Sequence, residues 1–490
     1  MEIVLVNPSG EGSYQGDKST QAEQYMYPYS IIYLQNYLAK NGIEAKLFDL
    51  FVTNPVELIE YCKDLVSPII GATSQSYSRY EAIDIIRRIK EVNPTSIAVV
   101  GGKHFTFCAQ DTLEHIKEID IVVRGEGEIT FYELVKALRN KEDINSIDGI
   151  TYRRQDEIIN NKDREQEKDI NKFSLDYDKI PELGFSRGVL LRNYEKEQIH
   201  SYPVLLGRGC SQKCVFCSFR MMKYRVRSFE SVMDEIIYLK ERYNKNYFTF
   251  TDPSFSERKA FVREFCERLI RDNLGIKWYC EARVDTPIEL LELMAKAGCI
   301  SLDFALESGS DKVLKAIRKN INVDQVFNFA KNCKRLGIRT LVFVMVSLPE
   351  ETEDDAKQTL EAARELSKYC TNVTLNTALI TPGTDLEIIA KEKGILPSDF
   401  SWYEDRFNHQ YTDLGPANLP IYLENLSIEF IRNFKKEFNK IKYSKYATYA
   451  DFIRFARKGL RKIPNQSFDA TCKDVSRFFC GFWSKISRQG

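Results

Sequence analysis

Three cysteines, Cys210, Cys214 and Cys217, fall within eight positions in the stretch GRGCSQKCVFCSF, residues 207–219. This CxxxCxxC spacing has three chemical readings. On one continuous helix the thiols would share an apolar face, but Gly207 and Gly209 argue against regular structure beginning there. As zinc ligands they need a fourth protein partner or a water; none is obvious nearby, and His200 lies upstream of the preceding strand. As ligands of an iron–sulfur cluster, which ordinarily takes four thiolates, they leave one iron open to a further molecule. A short loop suits that reading, because a compact cube needs thiols that converge from nearby directions.

The loop sits between two runs of alternating strand and helix. EIVLVNP, EAKLFDL, PIIGATSQS, SIAVVGGKH and IDIVVRGEGE read as strands, with helical segments between them, over residues 1–140. That alternation predicts a parallel, doubly wound, Rossmann-like sheet. Ligands of such sheets lie beyond the carboxyl ends of the strands, here at Asn7, Ser74, Gly101, Gly102, Gly125 and Gly127. The glycines either admit a bulky ligand to the backbone or make tight turns. No GxGxxG follows the first strand, which argues against a nicotinamide cofactor.

Residues 141–195 are polar and charge-rich and read as a linker with a short hairpin in GITYRRQDEIINN. From PVLLGRGC onward, over residues 196–395, strand and helix alternate again. This predicts a partial (β/α) barrel of the TIM type, with functional residues at the carboxyl ends of its strands. Those ends carry Asp252, Glu281, Arg283, Glu307 and Ser308. Residues 396–490 lose the alternation and read as mainly helical, a cap or substrate region. Within 431–490 there are 15 Lys/Arg against 4 Asp/Glu, interleaved with Phe434, Phe438, Tyr443, Phe452, Phe455, Phe478, Phe479, Phe482 and Trp483. That pattern suits a solvated helical cap, an anionic-substrate site, or a helix lying on a membrane surface.

Bulk composition narrows the class. The chain has 490 residues, 70 Lys+Arg and 70 Asp+Glu, so net charge gives no footprint for nucleic acid and no DNA partner is expected. The start MEIVLVNPSG lacks the features of an export signal, and no apolar run is long enough to span a bilayer. The expected place is the cytoplasm, where the 12 cysteines stay reduced. Cys266 and Cys333 read as buried small hydrophobes.

VVGGKHFTF followed by DIVVRGEGE resembles the cobalamin-binding domain found ahead of many radical S-adenosylmethionine (SAM) enzymes, over roughly residues 1–140. CxxxCxxC, with the strand ends that follow it, resembles the radical SAM barrel. The resemblance implies a [4Fe–4S] cluster on Cys210, Cys214 and Cys217. It implies adenine near Phe216, the amino group of SAM at Asp252, and its carboxylate or ribose at Glu281, Arg283, Glu307 and Ser308. For cobalamin it implies a site lined by Ser74, Gln75, Tyr77, Gly101, Gly102, His104, Gly125, Glu126 and Gly127. The DxHxxG motif of other cobalamin proteins is missing, so His104 is expected against the corrin rather than on cobalt, with Gln75 and Tyr77 as candidates to cover the lower cobalt face.

The activity so implied is reductive cleavage of SAM to a 5′-deoxyadenosyl radical, most often to methylate an unactivated carbon. Cyclisation or rearrangement is the alternative. Methylthiolation ranks lower, because residues 1–140 hold only Cys62 and Cys108, too few for a second cluster. A cobalamin carrier would leave the cysteines idle. A further C-terminal cluster is disfavoured, since Cys370, Cys472 and Cys480 are few and scattered. Expected partners are a small-molecule, lipid or peptide substrate and an electron donor such as flavodoxin or ferredoxin, with possible membrane-surface contact through the C-terminal segment.

Overall fold

A computed structural model describes residues 1–9, 28–179, 189–190, 200–404, 413–415 and 418–445. The first sheet is built from β1 (Ile3–Asn7), β2 (Lys46–Asp49), β3 (Ile69–Thr73), β4 (Ile97–Gly101), β5 (Ile121–Val123), β6 (Ile150–Arg154) and β7 (Glu157–Asn160). Its order is β2-β1-β3-β4-β5-β6-β7. The first five strands run parallel, as the sequence predicts. Their runs of Val and Ile are apolar on both faces, which a parallel sheet covered by helices on both sides requires. Val4, Val6, Ile70 and Val100 enter one core; Ile3, Leu5, Ile69 and Val99, their neighbours along the strands, enter the other.

The predicted hairpin at 150–160 is present, but it is not part of a linker. β6 pairs antiparallel with β5 and β7 with β6, so the hairpin extends the first sheet. Arg124 anchors it, donating through Nη1 to the carbonyl of Ile150 at 2.7 Å. The first domain therefore runs past its expected boundary at 140.

The second half contains β8 (Val189–Leu190), β9 (His200–Val204), β10 (Gly207–Arg208), β11 (Arg225–Val226), β12 (Tyr247–Phe250), β13 (Lys277–Glu281), β14 (Cys299–Glu307), β15 (Arg339–Val346) and β16 (Asn372–Thr377). The main sheet has the order β16-β15-β14-β13-β12-β9-β8. All its pairs are parallel except β8 with β9. This is the partial barrel. Alternate residues of β15 are buried (Thr340, Val342, Val344, Val346), and those between them are half-exposed. Helices cover the buried side: Val232, Met233, Ile236 and Leu239 of the helix Phe229–Tyr243 join Phe248, Trp278, Leu302 and Val342 in one core. Side-chain caps open several of these helices, with capping boxes at Asn322 and Thr352.

The C-terminal segment corrects its prediction in part. Residues 396–404, 413–415 and 418–427 contain no helix and are irregular, with a bridge between Leu379 and Ile421. The helix begins only at Ile428, where Ser427 accepts from Phe430 N–H, and runs to Lys445. Its Ile431, Phe434, Phe438 and Ile441 are buried in the barrel core. Spaced three and four apart, they form one helical face, and that face is consumed inside the protein. It is not available to a membrane. Phe452, Phe455, Phe478, Phe479, Phe482 and Trp483 lie outside the described residues. Among the described residues no helix is long and apolar enough to cross a membrane.

Candidate functional site

The thiol loop is fixed at both ends by the antiparallel ribbon β10–β11. The glycines around Cys210 serve this closeness. Gly209 has φ +77°, and a Cβ there would stand 2.5 Å from the carbonyl oxygens of Lys223 and Met222; one on Gly207 would stand 2.6 Å from Arg225 O. The middle of the loop is tied to the barrel: Val215 N–H donates to Ile317 O and Leu386 N–H to Val215 O. Cys214 is buried, while Cys210 and Cys217 are half-exposed. Burial holds the Cys210 and Cys214 thiols above their usual pKa, and the charges of the other two thiols act in the same direction at Cys210. The three thiols thus lie close enough for their charges to act on one another. Among the described residues they are not all within 4.8 Å of one another. Thiolates on one tetrahedral zinc stand about 3.8 Å apart. The donor set fits a cluster better than a single ion.

The strand-end residues divide into two groups. Glu281 and Glu307 border the loop. Glu281 is open to solvent but closely surrounded by other charged groups, Asp303 and Lys319 among them. It pairs in register with Asp303, which accepts from Tyr279 Oη at 2.7 Å. Burial, followed by Asp303, pushes Glu281 up to about 7. Glu307 is buried at φ +61° and meets Lys319 Nζ at 2.7 Å. Lys319 escaped the sequence reading. Its charge acts on Cys214 and Cys217, and its ammonium lies 6.0 Å from the ring centroid of Phe216.

The others are held differently from expectation. Asp252 accepts Leu206 N–H at 3.0 Å and Gly207 N–H at 2.5 Å, one on each oxygen. It holds the strand leading to Cys210 and is not laid out as a free strand-end ligand for an amino group. Ser308 is fully buried, its Oγ accepting Ser310 N–H and lying 3.2 Å from Thr359 Oγ1. It ties the turn to the helix Glu353–Leu366 and reaches no open space. Arg283 pairs with Asp285 at 3.0 Å, at the barrel rim.

On the first domain, Gln75 is exposed and Tyr77 half-exposed at the end of β3, Tyr77 packing with Val215 and Phe216 of the thiol loop. Ser74 is buried, its hydroxyl turned onto Gln75 O at 2.6 Å. At Gly125, φ +75°, a Cβ would meet nothing within 4 Å, so the turn after β5 leaves open room. Gly127 opens the helix Gly127–Asn140. Gly101 and Gly102 instead form a tight turn: a Cβ on Gly102 would stand 2.7 Å from Ser74 O.

Two cobalamin-site expectations are corrected. His104 is fully buried, with Nδ1 3.2 Å from Ser76 Oγ and Nε2 3.3 Å from Tyr403 Oη. Both ring nitrogens are engaged, and the ring is packed edge-on to Trp402 and Tyr403 rather than turned to a ligand. Glu126 is bidentate to Arg225, at 2.6 and 2.8 Å, and lies 3.3 Å from Arg208. Arg208 also reaches Glu128 at 2.5 Å. These arginines sit on β10 and β11, so the turn after β5 grips the ribbon that carries the thiol loop. Only the fold reveals this clamp; in the sequence its members are a hundred residues apart.

Gln75 is exposed and Gly125 open at the strand ends of the first sheet, and the three cysteines share one short loop in the second half. The residues from 19 to 135 match the B12 binding domain, and those from 204 to 363 match the radical SAM superfamily. The chain therefore carries a B12-binding domain followed by a radical SAM domain. A protein of Pyrococcus horikoshii, called an uncharacterized methyltransferase, is 28% identical over 85% of this chain and 87% of its own length. The anaerobic magnesium-protoporphyrin IX monomethyl ester cyclase of Rubrivivax gelatinosus is 29% identical over 71% of this chain and 64% of its own. Among solved structures, the radical SAM methyltransferase TsrM of Kitasatospora setae, with tryptophan and a SAM analogue bound, superposes with a TM-score of 0.66 over 90% of this chain and 88% of that one, at 17% identity. At that identity the likeness is one of fold, and the fold is that of a B12-binding radical SAM enzyme.

Proposed function

We propose that this B12-binding radical SAM enzyme methylates an unactivated carbon of a small molecule. The observation that carries the reading is the clamp between Glu126, at the open turn of the first domain, and Arg208 and Arg225, which flank the thiol loop. It ties the turn after β5 of the first domain to the ribbon that carries the cysteines, which supports a reading in which the two cofactors act on one substrate. When bound, the [4Fe–4S] cluster supplies the electron that cleaves SAM, and cobalamin supplies the methyl group. Cys210, Cys214 and Cys217 hold the cluster. Lys319, steadied by Glu307, offers a cation for the carboxylate of SAM; Glu281 offers its carboxylate to the ribose, and Phe216 its ring to adenine. Gln75 and Tyr77, just past β3, would help hold cobalamin and cover its lower face. The Pyrococcus relative and TsrM, both called methyltransferases, support methyl transfer, and tryptophan in TsrM supports a small-molecule substrate.

The likeness to the Rubrivivax cyclase favours a second reading, ring formation. SAM with a deuterated methyl group separates the two: methyl transfer carries the label into the product, whereas cyclisation leaves it out. A one-electron donor protein is required by either reading. Membrane contact through residues 446–490 rests on their sequence alone, and sedimentation with anionic vesicles decides it. The first test is the absorption spectrum of full-length protein reconstituted with iron, sulfide and hydroxocobalamin and then desalted. Bands of both groups are expected; a cluster without retained corrinoid would rule out methyl transfer from cobalt.

A further inference from the structure

We infer that Lys103 is a cation that the B12-binding domain extends onto the iron–sulfur site, where its charge sets the reduction potential of the cluster. The inference rests on the reading that the three cysteines hold that cluster. Lys103 follows the Gly101–Gly102 turn at the end of β4 and opens the short helix Lys103–Phe107. Its side chain crosses the domain interface. The ammonium lies 3.3 Å from the ring centroid of Phe219, two residues beyond Cys217. The charge of Cys217 acts directly on it.

No carboxylate pairs with Lys103 among the described residues. Four other basic groups near the loop are balanced: Lys319 by Glu307, Arg283 by Asp285, and Arg208 and Arg225 by Glu126 and Glu128. Lys103 differs from them in being half-buried without a carboxylate partner among the described residues, and burial brings its pKa down to about 8. A half-buried cation without a counter-ion is costly. The face of Phe219 offsets part of that cost, and an anionic cluster would offset the rest. Three thiolates make the cluster negative, and reduction adds one more negative charge. A fixed cation beside it stabilises the reduced form more than the oxidised form, and net charge is one of the quantities that sets such potentials. Because Lys103 grows from the turn beside the corrin site, the B12-binding domain contributes directly to the electron affinity of its partner.

The test is an EPR-monitored redox titration of the full-length chain, reconstituted with iron, sulfide and cobalamin, for wild type, Lys103→Met, Lys103→Gln and Lys103→Arg. Iron and sulfide content confirm equal loading. Removing the charge is expected to lower electron affinity about tenfold, a shift of about 59 mV to more negative potential, with Lys103→Arg staying at the wild-type value. Lys103→Gln keeps a polar side chain and decides the matter should the Met variant load poorly. Met and Gln variants that load fully and titrate with the wild type overturn the inference. A wild-type chain that takes up no cluster overturns the cysteine reading beneath it.

Discussion

Cys214 is the most enclosed of the three loop thiols, between a β-ribbon and the backbone ties at Val215. Cys214→Ala removes one of three ligands without disturbing those ties. Iron loading and release of 5′-deoxyadenosine should both fall to background while thermal unfolding changes little; continued SAM cleavage would remove the cluster argument. Lys319 and Glu307 form a buried pair, and breaking such a pair costs about 3–5 kcal/mol because the lone charge stays inside. Urea unfolding of Lys319→Met should show a loss of that order, and adding Glu307→Gln should recover most of it. Glu351 gives a pH signature away from the site. It is buried, accepts Ser347 N–H and Leu348 N–H on one oxygen, and has no partner on the other. Burial pushes it up to about 7 from an ordinary 4.5. Its folded value lies above its unfolded one, so its contribution is complete below pH 4.5 and lost as pH rises through 7. Glu351→Gln should flatten the fall in melting temperature between pH 5 and 8; an unchanged slope would show that Glu351 does not titrate there. Residues of local spacing were legible in the sequence, and the cysteines are the clearest case. Lys319 and Lys103 were not, because their meaning lies in what approaches them from elsewhere in the chain. Asp252 and Ser308 sit at strand ends as predicted, but a strand-end position does not reveal which backbone amides a side chain will meet.

At the level of elements, the alternation of apolar strands and amphipathic helices identified both sheets, because buried parallel strands leave long runs of Val and Ile. The hairpin was legible as a hairpin and misplaced as a linker. Nothing in its own residues records that β6 pairs with β5; that pairing depends on Arg124 and on the open edge of the sheet. The start of the last helix shifted to Ile428 for a similar reason, since Ile421 is taken up in a bridge to Leu379, a partner far away in the sequence. The ribbon β10–β11 is the element on which the site depends most. Glu126→Gln weakens its grip on the first domain, and amide hydrogen exchange should quicken at residues 207–226 while the barrel helices keep their protection. Unchanged exchange there would mean that the ribbon is held by the barrel alone.

The order of the domains could be read from the chain; the way its last part returns to the first could not. Arg79 is almost wholly buried in the first domain, yet its guanidinium donates to Trp402 O and Asn418 O from beyond the barrel. Asp111 accepts Ser401 Oγ–H and Trp402 N–H. Phe107 lies against Gly383, where a Cβ would stand 2.3 Å from its ring. The polar groups that residues 401–418 satisfy are not their neighbours in sequence, so periodicity could not announce them. Swapping modules between relatives is a common way to retarget enzymes of mixed architecture. Here, a B12-binding domain grafted in from a relative would arrive with an uncapped arginine and carboxylate, since their caps are encoded some three hundred residues downstream. The heritable unit is therefore a discontinuous one, the first sheet together with the returning residues Ser401, Trp402 and Asn418, and a working chimera must exchange both at once.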